Sequence, residues 1–404
     1  MPKHPASFPD MNPIAGVHLA GIASGLKASG KPDLMLATVS PGTAVAGVLT
    51  RSSCPSQPIL WCRDILPRGS ARALLVNSGN ANAATGKEGW QVLQESVDAV
   101  AYILACDPRD VYIASTGVIG DVLEPHSIAQ RVPAVHQALS QTAWTDAAQA
   151  IRTTDTFAKG SSQHAIIGDT TVTINGIAKG SGMIAPNMGT MLAFIFTDAV
   201  IAPALLQKVL NPIIRDTFNS ITVDGDTSTS DTVLCFATGT ASHPPATRAQ
   251  LRDFRRALRE VCHDLALQIV QDGEGATKLI ETHVIGAKTR RHAHQIGLSI
   301  ANSLLVRTAL SHHVISWGRF MMAIGKTGLP VVPERIDVAI GGWPVVKNGH
   351  GLPDMATAEI ENYLRSESIV LTIDLHQGTA QHRVWSCDLT EGYITINNNR
   401  RHRT

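Results

Sequence analysis

The sequence predicts an α/β protein rich in sheet, and three observations carry that prediction. Short runs of β-branched and apolar residues alternate with longer stretches of helical period along the chain. Glycine-containing turns punctuate these runs, and no low-complexity linker interrupts them. At 404 residues the chain can bury a large core and has room for two domains.

The elements follow in order. Residues 73–76 read as a strand entering an Asn/Gly loop, 89–105 as an amphipathic helix, and 111–114 as a strand entering the turn STGVIG. Residues 165–174 form a hairpin around Gly168 and Asp169, a glycine-containing pair flanked by β-branched runs. The apolar run 191–196 has the length of a buried strand. Beyond it, 203–218 and 249–270 read as helices, and 233–237, 336–340 and 369–375 as strands.

Global properties narrow the function classes. A formal net charge of +1 leaves no basic surplus for nucleic acid, and the run of like charges at Arg400, Arg401 and Arg403 is confined to the last residues. Small molecules are therefore the expected partners. The six cysteines (Cys54, Cys62, Cys106, Cys235, Cys262 and Cys387) show no C-x-x-C pair and no zinc-like spacing to histidine, so they read as small core residues of a reducing compartment. The N-terminal segment carries four prolines and no continuous apolar core, unlike a secretory signal. No segment approaches the roughly 20 apolar residues of a membrane span. A cytoplasmic protein is expected.

The most informative stretch is residues 179–194, KGSGMIAPNMGTMLAF. It places Gly189 and Thr190 between a glycine-rich loop and an apolar strand. A threonine hydroxyl is a weak nucleophile that needs a base beside it. If the bond before Thr190 is cut, the new α-amine, with a reference pKa of about 7.7–8, can take the hydroxyl proton. Cutting proceeds by an N to O acyl shift and ester hydrolysis, and Gly189, Gly180 and Gly182 suit the close approach this needs. On composition alone, a Gly-Thr pair before a buried strand is equally an ordinary turn.

The whole segment resembles the processing site of the ornithine acetyltransferase, or bifunctional arginine-biosynthesis, family. Seven further blocks resemble the same family in the same order: residues 16–27 (GVHLAGIASGLK), 77–86 (NSGNANAATG), 115–120 (STGVIG), 153–156 (TTDT), 221–230 (ITVDGDTSTS), 272–279 (DGEGATKL) and 385–390 (WSCDLT). The resemblance implies a self-processing α/β sandwich shared with related aminopeptidases. It divides the chain into an α fragment, 1–189, and a β fragment, 190–404, that fold together and assemble as a heterotetramer of two α and two β chains. It further implies acetyl transfer from N-acetylornithine to glutamate through acetyl-Thr190. Because one amide is exchanged for another, the reaction is near thermoneutral and calls for no nucleotide or metal. Some family members also use acetyl-CoA to acetylate glutamate, and the residues here do not decide that question. The rivals are a hydrolase of the same architecture, in which water accepts the acyl group, and an uncut small-molecule binding protein.

Acyl transfer needs donors for a developing oxyanion, and backbone amides at a tight turn supply them. Thr116 and Gly117 sit at such a turn and match the family's oxyanion pair, although a plain strand-to-helix turn has the same composition. By the same correspondence Lys179 is matched to a substrate carboxylate, Glu274 to an ornithine ammonium and Thr153 to a hydroxyl hydrogen bond. Read without the family, these are a solvated lysine, a loop acid and a turn threonine. The same correspondence implies that Thr404 closes the pocket.

Three departures from the family pattern stand out. The tail NNNRRHRT is two residues longer than usual, so alignment from a terminal strand at 393–397 selects Asn397 as the substrate asparagine, whereas alignment from the end selects Asn399. The segment 311–320, SHHVISWGRF, replaces a usual Asp-Pro-Asn before Trp-Gly-Arg; His312 and His313 there read as surface or packing residues. Gly189 stands where alanine is common. Asp224, Asp226, Ser228 and Asp231 have the oxygens of a calcium loop but lack its glycine and closing glutamate, and read as a turn. Neither G-x-G-x-x-G opening a helix nor a P-loop is present.

Overall fold

The computed structural model describes residues 7–185 and 191–398. Two sheets dominate it. In chain order the strands are β1 (Val17–Ile22), β2 (Leu34–Leu49), β3 (Ser70–Asn80), β4 (Val111–Val118), β5 (Lys159–Ile167), β6 (Thr170–Lys179), β7 (Leu192–Thr197), β8 (Ile221–Thr222), β9 (Thr232–Ala237), β10 (Leu279–Ala287), β11 (Asp337–Ile340), β12 (Trp343–Lys347), β13 (His350–Gly351), β14 (Ser368–Asp374) and β15 (Ala380–Cys387). The first sheet runs β4-β3-β2-β9-β7-β6-β5, with β1 added on β2; the second runs β13-β12-β11-β14-β10-β15-β8.

The apolar runs read as strands are strands because both their faces are covered. In β7, Ala193 and Ile195 join a core cluster with Leu210 and Ile213 of the Pro203–Asp216 helix and Val261 and Leu265 of the Arg252–Gln271 helix. The alternate residues Leu192, Phe194 and Phe196 enter a cluster on the opposite face with Trp144 and Tyr112. Phe196 stacks on Phe236 at 5.1 Å between ring centroids, and Trp144 meets it edge-on at 5.7 Å. A strand buried on both sides reads as continuous apolar sequence rather than as an alternation. The Arg252–Gln271 helix shares its cluster with Trp385 and Cys387 of β15, so it lies between the two sheets.

The expected hairpin turns at Gly168 and Asp169, with Ile167 paired to Thr170. Gly168 adopts φ +62°, which explains the glycine. The amphipathic helix spans Gly86–Leu104, and Ala105 closes it in the left-handed region.

Two expectations are corrected. Residues 393–397 are not a strand but part of the Glu391–Asn398 helix. The Thr390 hydroxyl accepts the Gly392 N–H at 3.1 Å, and Thr395 Oγ1 and Asn397 Nδ2 donate to the carbonyls of Glu391 and Tyr393, four residues back, at 3.1 and 2.9 Å. These local bonds support helical turns and override the β-propensity of Ile394, Thr395 and Ile396. The cysteines are not uniformly core residues either: four are buried, but Cys54 is exposed in the connection after β2 and Cys106 is half-buried.

Candidate active site

Strand β6 ends at Lys179, which pairs antiparallel with Leu192 at the start of β7. The loop between them is held on both sides by aspartates. Gly180 N–H donates to Asp155 Oδ1 at 2.7 Å, and Ser181 Oγ donates to the Asp272 carbonyl at 2.6 Å. The N–H groups of Met183 and Ile184 donate to the two oxygens of Asp224 at 2.5 and 2.9 Å. On the far side, Met191 N–H donates to Asp231 Oδ1 at 3.0 Å. Asp224 and Asp231 thus accept backbone N–H bonds, as an ordered turn requires. Among the described residues no group of three or more His, Cys, Asp or Glu side chains could hold a metal ion.

Beneath the loop lies a buried charge network. Lys159 Nζ donates to Asp155 Oδ1 at 2.7 Å and to Asp272 Oδ2, and all three side chains are at most 1% exposed. Lys179 Nζ lies 4.0 Å from Asp155 Oδ2 and is itself buried, so it is not a solvated surface lysine. Burial alone would push the Asp155 carboxyl up; Lys159, Lys179 and the Gly180 N–H outweigh it and hold the acid below the usual carboxylate range. Burial pushes Asp272 up, with the like charge of Asp155 adding to it against the pull of Lys159. Two lysines facing two aspartates give a compact site in which each charge is matched.

Thr153 and Glu274 belong to the same neighbourhood. Thr153 N–H donates to Asp155 Oδ2 at 3.0 Å, and both Thr156 N–H and Oγ1 donate to Asp272. Glu274 is buried; its N–H donates to the Ser181 carbonyl at 2.9 Å and its Oε2 accepts from Asn397 Nδ2 at 2.9 Å. That last bond distinguishes Asn397 among the tail asparagines within the described residues. Two close approaches create it. A β-carbon on Gly182 would lie 2.5 Å from the Glu274 carboxyl, and one on Gly275, at φ +73°, would lie 2.3 Å from Tyr393 N. The Thr390 hydroxyl donates to the Gly275 carbonyl at 2.7 Å and docks the helix that carries Asn397. The Tyr393 phenol donates to Asp224 at 3.4 Å, and burial first, then Asp224 and Glu274, push it up to about 12.

Thr116 and Gly117 stand at the end of β4, paired with Ser78 and Gly79 of β3. Gly117 has φ +136°, and a β-carbon there would lie 2.2 Å from the Gly79 carbonyl carbon, so the turn admits no side chain at this position. Lys27 connects this turn to the charge network. Its side chain packs over Gly79, and its Nζ donates to the carbonyls of Pro32 and Arg152 at 2.9 and 2.7 Å. Burial lowers its pKa to about 8, with Asp33 acting against that and Lys179 adding to it.

The structure therefore brings Thr153, Lys179, Glu274 and Asn397 together and joins Thr116 and Gly117 to them through Lys27. Gly189, Thr190, Asn399 and Thr404 lie outside the described residues. His312 is exposed, with Nδ1 3.0 Å from the Thr308 carbonyl, a surface role of the kind expected. The sequence reading missed Asp155, Lys159, Asp272 and Lys27. Asp155 and Asp272 stood inside the quoted TTDT and DGEG blocks, so an acid beside the Thr and Glu already singled out was the available signal. Lys159 had none, since only the fold places it between them.

The sequence profile of the ArgJ family matches residues 18–402. The chain is 48% identical over 393 residues to the arginine biosynthesis bifunctional protein ArgJ of Gluconobacter oxydans, covering 96% of this chain and 93% of that one. It is 45% identical over 402 residues to the ArgJ protein of Brucella suis, covering 98% and 97%. Among solved structures it resembles the arginine biosynthesis bifunctional protein ArgJ of Bacillus halodurans, with 41% identity and a TM-score of 0.50 over 51% of this chain and 98% of that chain.

Proposed function

Because the chain belongs to the ArgJ family, we propose a residue-level account of acetyl transfer in which Thr190 is the nucleophile and the buried network around Lys179 and Glu274 reads the amino-acid substrate. The protein is an arginine-biosynthesis acyltransferase, a glutamate N-acetyltransferase that moves the acetyl group of N-acetylornithine to glutamate. In the proposed cycle Thr190 attacks the acetyl carbonyl, with its own α-amine taking the hydroxyl proton. The amides near Thr116 and Gly117 hold the oxyanion, and ornithine leaves. Glutamate then takes the acetyl group from acetyl-Thr190. Lys179 faces the substrate carboxylate, Glu274 an ammonium and Thr153 a polar group of the bound amino acid, while Asn397 or Asn399 and Thr404 close the pocket. The chain works as fragments 1–189 and 190–404, assembled as a heterotetramer in the cytoplasm, with acetyl-CoA as a second acetyl donor.

One observation carries this reading. The loop leading toward residue 190 rests on a buried, charge-matched network that adjoins both a buried carboxylate and a lysine, the two polarities an amino acid presents. The Bacillus halodurans chain is covered over 98% of its length by only 51% of this one, in keeping with a relative present as fragments.

Intact-mass spectrometry before and after brief incubation with N-acetylornithine tests the proposal. The expected result is two fragments, beginning at Met1 and Thr190, with one acetyl group on the second. An uncut chain without an adduct would overturn it. Release of free acetate at the rate of ornithine, with no transfer to glutamate, would favour the hydrolase.

A further inference from the structure

Lys27 has no part in the cycle just described, yet both its main chain and its side chain are held. Asp33, a fully buried acid, fixes the main chain. Its Oδ1 accepts Ser24 N–H and Oγ at 2.7 and 2.6 Å, and its Oδ2 accepts the N–H groups of Leu26 and Lys27 at 2.7 and 2.9 Å. The lysine stem lies against Gly79, where a β-carbon would come within 3.0 Å of Lys27 Cγ. Gly79 in turn pairs with Gly117 in the β3–β4 ladder. At the other end, Nζ bonds to the main-chain carbonyls of Pro32 and Arg152 rather than to a carboxylate. The peptide joining Arg152 to Thr153 is thereby gripped on both edges: Lys27 Nζ donates to its C=O at 2.7 Å, and its N–H donates to Asp155 Oδ2 at 3.0 Å. Drawing an ammonium partly out of water costs free energy that a solvated lysine would keep. What this lysine holds together accounts for its place.

We propose that Lys27 is a positioning residue of acetyl transfer, one that sets the spacing between the Thr116–Gly117 turn and Thr153. This deepens the reading above and rests on its assignment of those residues. The turn holds the acetyl oxygen and Thr153 the amino-acid part of the same substrate, so their separation must fit that molecule. A displacement of about 1 Å can cost about a hundredfold in rate. The grip depends on charge, because a hydrogen bond from an ionised donor is roughly twice as strong as a neutral one. Burial brings Lys27 down to about 8, with Lys179 and Arg152 adding to it and Asp33 and Asp155 opposing it. The ammonium is present below that value and lost above it.

Acetylation by N-acetylornithine alone, read as mass gained by the 190–404 fragment in a rapid-quench series, provides the test. Lys27→Met keeps the stem over Gly79 and loses both bonds. Its maximal rate at pH 7 is expected to fall about a hundredfold, with the half-saturating concentration changing far less. An unchanged rate, or a loss confined to half-saturation, would overturn the proposal. Lys27→Arg stays charged at every pH of the series. The parent's rate is expected to fall above about pH 8, and the arginine variant's is not. A merely structural lysine leaves the two profiles alike, and that result defeats the proposal. Should a variant stay uncut, the parent decides alone: a rate that does not fall above about pH 8 overturns the proposal. A parent that is never acetylated would instead refute the assignment of Thr190.

Discussion

Replacing Lys159 by methionine should be among the most damaging single changes in the interior, and the structure says by how much. Among the described residues Lys159 is the one group bonded to both Asp155 and Asp272, and the three side chains are almost completely removed from solvent. Methionine fills much of the volume and can keep a contact with the Phe157 ring, which lies 4.6 Å from Nζ, so little is lost to packing. What remains is two buried carboxylates facing each other, with Lys179 4.0 Å from one of them. Removing one partner of a buried pair destabilises by about 3–5 kcal/mol. Against a total stability of about 5–15 kcal/mol, that is a large fraction.

The effect depends on pH, with a definite sign. The folded Asp155 acid lies below its unfolded value, so its contribution is complete above about pH 3.9 and is lost as pH falls through the lower folded value. Without Lys159, both Asp155 and Asp272 move upward and are more easily protonated in the folded chain. The gap between parent and variant is then widest near neutrality and narrows toward pH 5. Urea unfolding followed by tryptophan fluorescence measures it. Both chains should carry Thr190→Ala so that each unfolds as a single polypeptide. A loss below about 1 kcal/mol, the scale of an exposed pair, or an identical gap at pH 7 and pH 5, would refute the reasoning.

Glu274→Gln retains an oxygen for Asn397 Nδ2 but removes the charge, so folding should persist while recognition of an ammonium weakens. A loss of about 1.4 kcal/mol corresponds to a tenfold rise in KM for N-acetylornithine; an unchanged KM would take Glu274 out of the substrate site. The fragments 1–189 and 190–404 should co-elute on a native column and separate only in denaturant. Strand β7 pairs with β6 across the proposed cut over 174–179 and 192–197, and β9 pairs with β2 over 232–237 and 44–49. Separation in dilute buffer would show that these ladders do not hold the halves together.

Much of the fold was legible because burial leaves a direct trace in residue type. The runs at 73–76, 111–114, 191–196 and 233–237 all became strands, and each extended by only a few residues beyond or short of the reading. The failure at 393–397 has a local cause. Tyr393, Thr395 and Ile396 have strand propensity, but Thr390 and Asn397 satisfy backbone groups within their own turn, and propensity does not register such bonds. The site was legible where a residue sits in a glycine-rich block, as Lys179 and Glu274 do. Lys159 was not, because a lysine at a strand end, four residues after an aspartate, is ordinary until the distant Asp272 is brought onto it by the packing of β5 against the Arg252–Gln271 helix.

The position of the proposed cut makes physical sense in this fold. Cutting a chain normally frees its ends, and the entropy gained loosens whatever those ends held. Here the residues on the two sides are held independently of the bond between them. Upstream, Gly180, Ser181, Met183 and Ile184 are bonded to Asp155, Asp272 and Asp224; downstream, Met191 is bonded to Asp231 and Thr232. Lys179 and Leu192 remain partners in one ladder whether or not the loop is continuous. A cut made ahead of Met191 would therefore leave Met191 and the Leu192–Thr197 strand already held in place, as a nucleophile that must meet its substrate in one geometry requires.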